Sequence, residues 1–337
     1  MISPGGPGGS GACALPRVYG VAHYERGRKL GFMSWGYEIL FDVADLDGLT
    51  PLERAALMED GDRWKQERTA TRRGQMGYRT KTTTAGPRLE AEIYPIFGKE
   101  VERLARKVKK QLTPEKIQRH NDEKARRHLV QLMDANFGKD DLSITLTYDE
   151  PAPGVAQMKK DIRNFVERMK RARAARKLPP MKYIYAMEWV EEGRDKRPHC
   201  HFITQGDMDE AEVKKIWGKD TGICNIDRLQ PGPEGLEALA TYIYRQNPGT
   251  PREKGRKKYG CSKNLKKPKT RVSDTKVTRA KVKRMANVFE IDESEARRIM
   301  ERLYPGYDFV RGSTRRSDII DGVYIRVLMR KKTEVGT

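Results

Sequence analysis

The sequence predicts an α+β fold in which an antiparallel sheet carries helices packed on one face. Three observations carry this expectation. "LSITLTY" at 142–148 alternates apolar with small polar residues, the period of a half-buried strand. "YIYAMEWV" and "RPHCHFITQ" are apolar, aromatic and β-branched runs joined by the charged "EEGRDK", which reads as strand, turn, strand. "VAQMKKDIRNFVERMKRARAARK" at 155–177 sets Met158, Ile162, Phe165, Val166 and Met169 on one helical stripe. Between 141 and 246 the order is β-α-β-β-α-β-α, which suits an antiparallel sheet backed by helices.

Along the chain, residues 1–75 read as an N-terminal extension, Gly/Pro-rich at its start, partly disordered and without visible chemistry. Within it Thr50 and Glu53 stand at capping-box spacing ahead of "LERAALMEDGDRWKQE". From Met76 the texture changes. "YRTKTTTAG" and "RLEAEIYPIF" are strand-like, with a Gly/Pro break between them. "GKEVERLARKVKKQ" is helical, and a second helix runs from Pro114 to about Ala135, with Thr113 as cap and Pro114 in the first turn. Leu129, Leu132 and Met133 form its apolar side. His120 and His128 lie about 12 Å apart along that helix, too far to share one ion, so they are surface positions.

Beyond the strand pair, "DEAEVKKIWG" is a short helix, "ICNIDRL" a short strand, and "PEGLEALATYIYRQ" a helix with Leu236, Leu239, Ala240 and Ile243 as its core stripe. Residues 245–284 hold sixteen Lys or Arg against two acids, a basic arm that contacts phosphates or stays disordered. Residues 278–304 are helical with a break at 291–294, and "DGVYIRVLMRKK" is a final strand. The expected organisation is one domain over 76–335: a core at 141–246, the arm at 245–284, and helices plus a strand at 285–332.

The 337 residues include 68 Lys or Arg and 47 Asp or Glu, a net charge of +21. Such an excess points to a polyanionic partner, and nucleic acid is the commonest one. No apolar run approaches the roughly 18 residues of a membrane span, and the N-terminus lacks the apolar core of a signal peptide. The four cysteines, Cys13, Cys200, Cys224 and Cys261, form no CxxC pair, which fits a reducing compartment and argues against a zinc knuckle.

The chemistry concentrates in "RPHCHF". Residues i and i+2 of a strand share a face, so His199 and His201 converge at a spacing that one divalent ion can bridge, while Cys200 and Phe202 turn to the core. Glu188, on the preceding strand, is a third candidate ligand, because a carboxylate in an apolar strand is costly unless it is paired. Two imidazoles and a carboxylate leave positions open for Lewis-acid work on a phosphodiester. Tyr242 and Tyr244 are candidate nucleophiles. Helical residues two apart diverge by about 200°, so one alone can face the metal, and spacing does not say which. Thr145 and Thr147 line the uncharged face of their strand, a candidate ligand surface.

"LSITLTY", "RPHCHF" and "LATYIYRQ", in this order, resemble the three motifs of HUH-type rolling-circle replication initiators, the Rep endonucleases of plasmids, phages and single-stranded DNA viruses. The nearest likeness is to phage and prophage replication-associated proteins of Gram-positive bacteria, and it extends over roughly 76–330. The resemblance implies an HUH-endonuclease fold with an RRM-like core, and His199, His201 and Glu188 as ligands of Mg²⁺ or Mn²⁺. It makes Tyr242 the nucleophile, with Tyr244 as runner-up and Arg245 where the family has Lys. It further implies nicking of single-stranded origin DNA through a 5′-phosphotyrosine, work with a host helicase and replication machinery, no small-molecule cofactor, and a cytoplasmic place in a bacterial host cell. Thr145, Thr147, Arg256, Lys257, Lys258, Lys263, Lys266 and Lys267 become the expected DNA-contacting residues. The sequence departs from the family pattern in Cys200 between the histidines and in a single motif tyrosine unless Tyr244 is a second. Two other readings stand beside this one: a non-catalytic nucleic-acid-binding protein on the same fold, and a metallonuclease that uses water.

Overall fold

In the computed structural model, residues 75–97, 114–151, 153–188, 197–218, 221–245, 258–316 and 322–332 are described. They form an α+β fold of two antiparallel five-stranded sheets and six helices. The expected N-terminal extension, the helix at 98–111 and the Thr113 cap lie outside the described residues.

The first sheet contains the elements the sequence marks most clearly: β3 (Leu142–Tyr148), β4 (Tyr183–Glu188), β5 (His199–Thr204) and β6 (Gly222–Arg228). With the two-residue β7 (Gly260–Cys261) its order is β6-β3-β5-β4-β7. The alternation of β3 becomes strict burial of Leu142, Ile144, Leu146 and Tyr148. They meet Met158, Ile162, Phe165, Val166 and Met169 of α2 (Val155–Ala175) and Val213 and Trp217 of α3 (Glu210–Trp217). Phe165 stands edge-on to Phe202 and Trp217, with ring centroids 5.3 and 5.8 Å away. Each large side chain removed from water here contributes roughly 1.5–3 kcal/mol.

This is the expected helical layer, and the other face gains a second one. Helices α1 (Pro114–Asn136) and α4 (Glu237–Arg245) pack Leu129, Leu132, Met133, Leu236, Ala240 and Ile243 onto Ile184, Ala186 and Ile203. They cover the β4–β5 half. On the β3–β6 half Thr145 and Thr147 are half-buried, and Ile223, Asn225 and Asp227 are exposed.

The second sheet is built across long sequence separations. Its order is β8-β1-β2-β10-β9, from β1 (Gln75–Ala85), β2 (Arg88–Phe97), β8 (Lys269–Ser273), β9 (Tyr307–Arg316) and β10 (Val323–Lys331). Leu89, Ala91, Ile93, Ile325, Val327 and Met329 point toward α5 (Arg279–Ile291) and α6 (Glu293–Leu303), where Val282, Met285 and Met300 complete a second core. Asp292 joins the two helices and caps α6 by accepting from the Ser294 and Glu295 amides. The basic segment 245–284 is therefore ordered from 258 onward: it gives one strand to each sheet and the start of α5. Strand β9 is an element that the sequence did not announce.

The remaining face of the second sheet is charged and buried. Glu90 lies 1% exposed among Arg88, Arg127 and Arg326, and Arg127 also pairs with Glu92. Helix α1 therefore has two unlike sides: Leu129, Leu132 and Met133 face the first sheet, and Arg127, Gln131 and Asp134 face the second.

Candidate active site

Strand register assembles the ligand set. In β5, His199 is opposite Glu188 of β4 and Thr147 of β3, and His201 is opposite Ala186 and Thr145. Residues opposed across a sheet share a face, so Glu188, His199 and His201 meet above one small area. Their donor atoms all lie within 4.8 Å of one another. Glu188 Oε2 is 3.1 Å from His199 Nε2, and the imidazole rings stand perpendicular with centroids 4.9 Å apart. Glu188 and His201 are both buried.

This geometry fits a divalent cation. His199 Nδ1 is 3.0 Å from the Arg197 carbonyl, which can only accept, so Nδ1 carries the hydrogen. A neutral ring then turns the Nε2 lone pair toward a carboxylate oxygen, and two acceptors this close call for a proton or a cation between them. Two donors on adjacent corners of an octahedron, about 2.1 Å from its centre, stand about 3.0 Å apart. The Thr145 hydroxyl, 3.5 Å from His201 Nδ1, is placed to orient the second imidazole, a supporting role that strand periodicity does not reveal. Cys200 faces the opposite core and is no donor; burial pushes its thiol far up.

Helix α4 brings one tyrosine to this cluster. Ala240 and Ile243 face the core, and Tyr242, 43% exposed, sits one step around the helix with its ring 5.4 Å from that of His201. Tyr244 turns the other way. It is 5% exposed, and its hydroxyl donates to Asp122 Oδ1 at 2.9 Å. Lys258 lies 4.6 Å over the Tyr244 ring and 3.6 Å from Asp122 Oδ1, so it packs against α4 and α1. The Arg245 side chain, Arg256 and Lys257 lie outside the described residues. Lys263, Lys266 and Lys267 are exposed.

The start of α4 is held by residues that sequence reasoning missed. Gly232 and Gly235 exchange backbone hydrogen bonds, and Gly235 adopts φ +74, where a side chain would run into Asp134 and Arg330. Asp134 Oδ1 accepts from the Leu236 amide at 2.9 Å. The Glu237 carboxylate accepts from Arg88 Nη2 at 2.7 Å and from Arg311 Nη2 at 2.8 Å. Burial opposes ionisation of Glu237, but Arg88 and Arg311 outweigh it and hold the carboxyl below its usual range. The only available signal was the odd presence of Arg88 and Glu90 inside a strand.

Residues 141–247 match a family model, that of the replication-associated protein known as ORF2 or gene 2 protein. That stretch contains all three ligand candidates and both tyrosines, and the match supports a role in replication initiation. No curated protein and no solved structure matches the chain. No described helix is long and apolar enough to cross a membrane.

Proposed function

We propose that the chain is a metal-dependent DNA nicking and joining enzyme that opens single-stranded origin DNA to start rolling-circle replication. The observation that carries this reading is the placement of Tyr242 against His201, at the edge of a Glu188–His199–His201 ligand set. A nucleophile and a ligand set side by side, inside the segment matching a replication-associated family, favour nicking over binding alone.

The reaction forms a bond from Tyr242 Oη to the scissile phosphorus and breaks the bond from phosphorus to the 3′ oxygen. The phenolic proton leaves to solvent, which reaches the exposed ring, and the departing 3′ oxygen takes a proton up. The products are a 5′-phosphotyrosine and a free 3′-OH, and reversal rejoins the strand. Glu188, His199 and His201 would hold Mg²⁺ or Mn²⁺, since a carboxylate–imidazole set without thiolate suits a hard to borderline ion. Bound there, the ion supplies Lewis-acid polarisation of the phosphodiester. Thr145 and Thr147, with the exposed Ile223 and Asn225 in adjoining rows, offer an uncharged platform for bases. Lys263, Lys266 and Lys267 are exposed for backbone phosphates, with Arg256 and Lys257 in the same basic arm. The sequence has no GxxxxGK[ST] motor motif, so unwinding falls to a host helicase in the bacterial cytoplasm.

The test is incubation with end-labelled single-stranded origin DNA and Mn²⁺, followed by denaturing electrophoresis. A covalent protein–DNA band is expected from the unaltered chain and from Tyr244→Phe, and none from Tyr242→Phe or His199→Ala. Cleavage without the band would give the attack to water. Binding without cleavage would leave a non-catalytic DNA-binding protein.

A further inference from the structure

We infer that the second sheet fixes the position of Tyr242 through Glu237, with Arg88 and Arg311 as positioning residues. This inference rests on the nicking reading above. Helix α4 has nine residues, too few to be stable or well oriented alone. Its contacts must set where Tyr242 points. At its first turn those contacts come from elements outside the family-matched segment 141–247: Arg88 of β2, Arg311 of β9 and Asp134 of α1.

Arg88 is the centre of this clamp. It is 1% exposed and donates to Glu90 Oε1 at 2.6 Å, Asp134 Oδ2 at 3.3 Å, the Glu234 carbonyl at 3.1 Å and Glu237 Oε2 at 2.7 Å. Arg311 adds a second bracket, donating to Glu234 Oε1 at 2.6 Å and Glu237 Oε1 at 2.8 Å. Planar guanidinium forks define direction as well as distance, which a lysine does not. An acid at the first residue of a helix also suits the helix dipole. Tyr242 lies five residues on, about 7.5 Å along the axis, so a tilt at Glu237 becomes a displacement at the phenol. A misplacement of about 1 Å at a reacting group can cost on the order of a hundred-fold in rate. A plain strut would stabilise the fold and leave the chemical step alone; a clamp changes the step itself.

Arg311 is one-third exposed, so its substitution is tolerable for folding. The experiment compares the full chain with Arg311→Ala, Arg311→Lys and Glu237→Gln. It measures single-turnover formation of the DNA adduct at saturating Mn²⁺ and origin DNA, affinity for the same DNA, and the ¹⁹F signal of 3-fluorotyrosine placed at position 242. The expected result for Arg311→Ala and Glu237→Gln is a rate at least ten-fold lower, DNA affinity within two-fold, and a fluorine line shifted or split by loss of the fixed His201 contact. Arg311→Lys should recover part of the rate. An unchanged adduct rate with an unchanged fluorine line, whatever happens to melting, would overturn the inference. If the unaltered chain forms no adduct at all, nicking fails as the function, and the fluorine comparison alone decides whether the sheet fixes Tyr242.

Discussion

Glu90→Gln should destabilise the protein by about 3–5 kcal/mol, because it breaks a buried ionic cluster from its centre. Glu90 Oε1 accepts from Arg88 Nε at 2.6 Å. Its Oε2 accepts from Arg127 Nε at 2.6 Å, Gln131 Nε2 at 3.1 Å and Arg326 Nη2 at 3.4 Å. An amide of the same size has one acceptor oxygen, so either orientation turns N–H groups toward a guanidinium. Losing two hydrogen bonds to charged donors, at roughly 1.5–3 kcal/mol each, gives the same range. In a domain of this size 1 kcal/mol moves the midpoint by roughly 2–4 °C, so Tm should fall by about 6–20 °C. Urea unfolding followed by tryptophan fluorescence should show a lower midpoint with an unchanged slope. The effect also has a pH signature. Burial works against ionisation of Glu90, but Arg127, Arg88 and Arg326 overcome it and hold the carboxyl well below 4.5. A folded-state pKa below the unfolded one gives stability that is complete above the unfolded value and lost as pH falls through the folded one. The gap between the unaltered protein and Glu90→Gln should therefore be constant above about pH 5.5 and narrow in stronger acid. A gap under about 1 kcal/mol at neutral pH would mean that water already solvates the cluster, and the reasoning would fail.

Four further outcomes follow from the same geometry. Tyr244→Phe should lower stability by about 1–3 kcal/mol in denaturant titration, through loss of the bond to Asp122, and leave adduct formation intact. Gly222→Ala should destabilise by more than about 1 kcal/mol and expose β6 to hydrogen exchange, since Gly222 sits at φ +138 with the Thr147 carbonyl where a methyl would go. Under native conditions a maleimide should label exposed Cys261 quickly and leave Cys200, buried with its thiol pushed up, untouched until denaturant is added. Mn²⁺ at a hundred times its Kd should stabilise the fold by about 2.7 kcal/mol, and His199→Ala or Glu188→Gln should abolish most of that thermal shift.

The parts legible in the sequence are those whose period encodes their own burial. β3, α2 and the β4–β5 pair fall where alternation and the Met158–Met169 stripe place them, and the HxH spacing equals the strand period. The choice between Tyr242 and Tyr244 was not legible. It depends on the roll of α4, set by Asp122 and Arg88, which lie 122 and 149 residues from their partners. The second sheet was half visible. β1 and β2 look like strands, but "RLEAEIYP" gives no sign that Glu90 and Glu92 are buried, because Arg127 and Arg326 reach them from distant elements. β7 has two residues and β8 five, in a lysine-rich stretch that reads as loop. β9 combines Gly312, a polar run and a register shift, which erase the period of two.

The strand order β8-β1-β2-β10-β9 also bears on synthesis. β10 lies in the interior of its sheet, hydrogen-bonded to both β2 and β9. A chain cut short before Val323 would lose a central strand, and with it Arg326, Arg330 and the support of the strand carrying Arg311. The donors Glu188, His199 and His201 and the whole of α4 would already have been made. On the ribosome, β10 follows the matched segment by roughly eighty residues, about 4–16 s at ordinary elongation rates. Nascent and truncated products thus hold the reacting groups without the brace, and a strand-cutting chemistry is withheld until translation has passed residue 331.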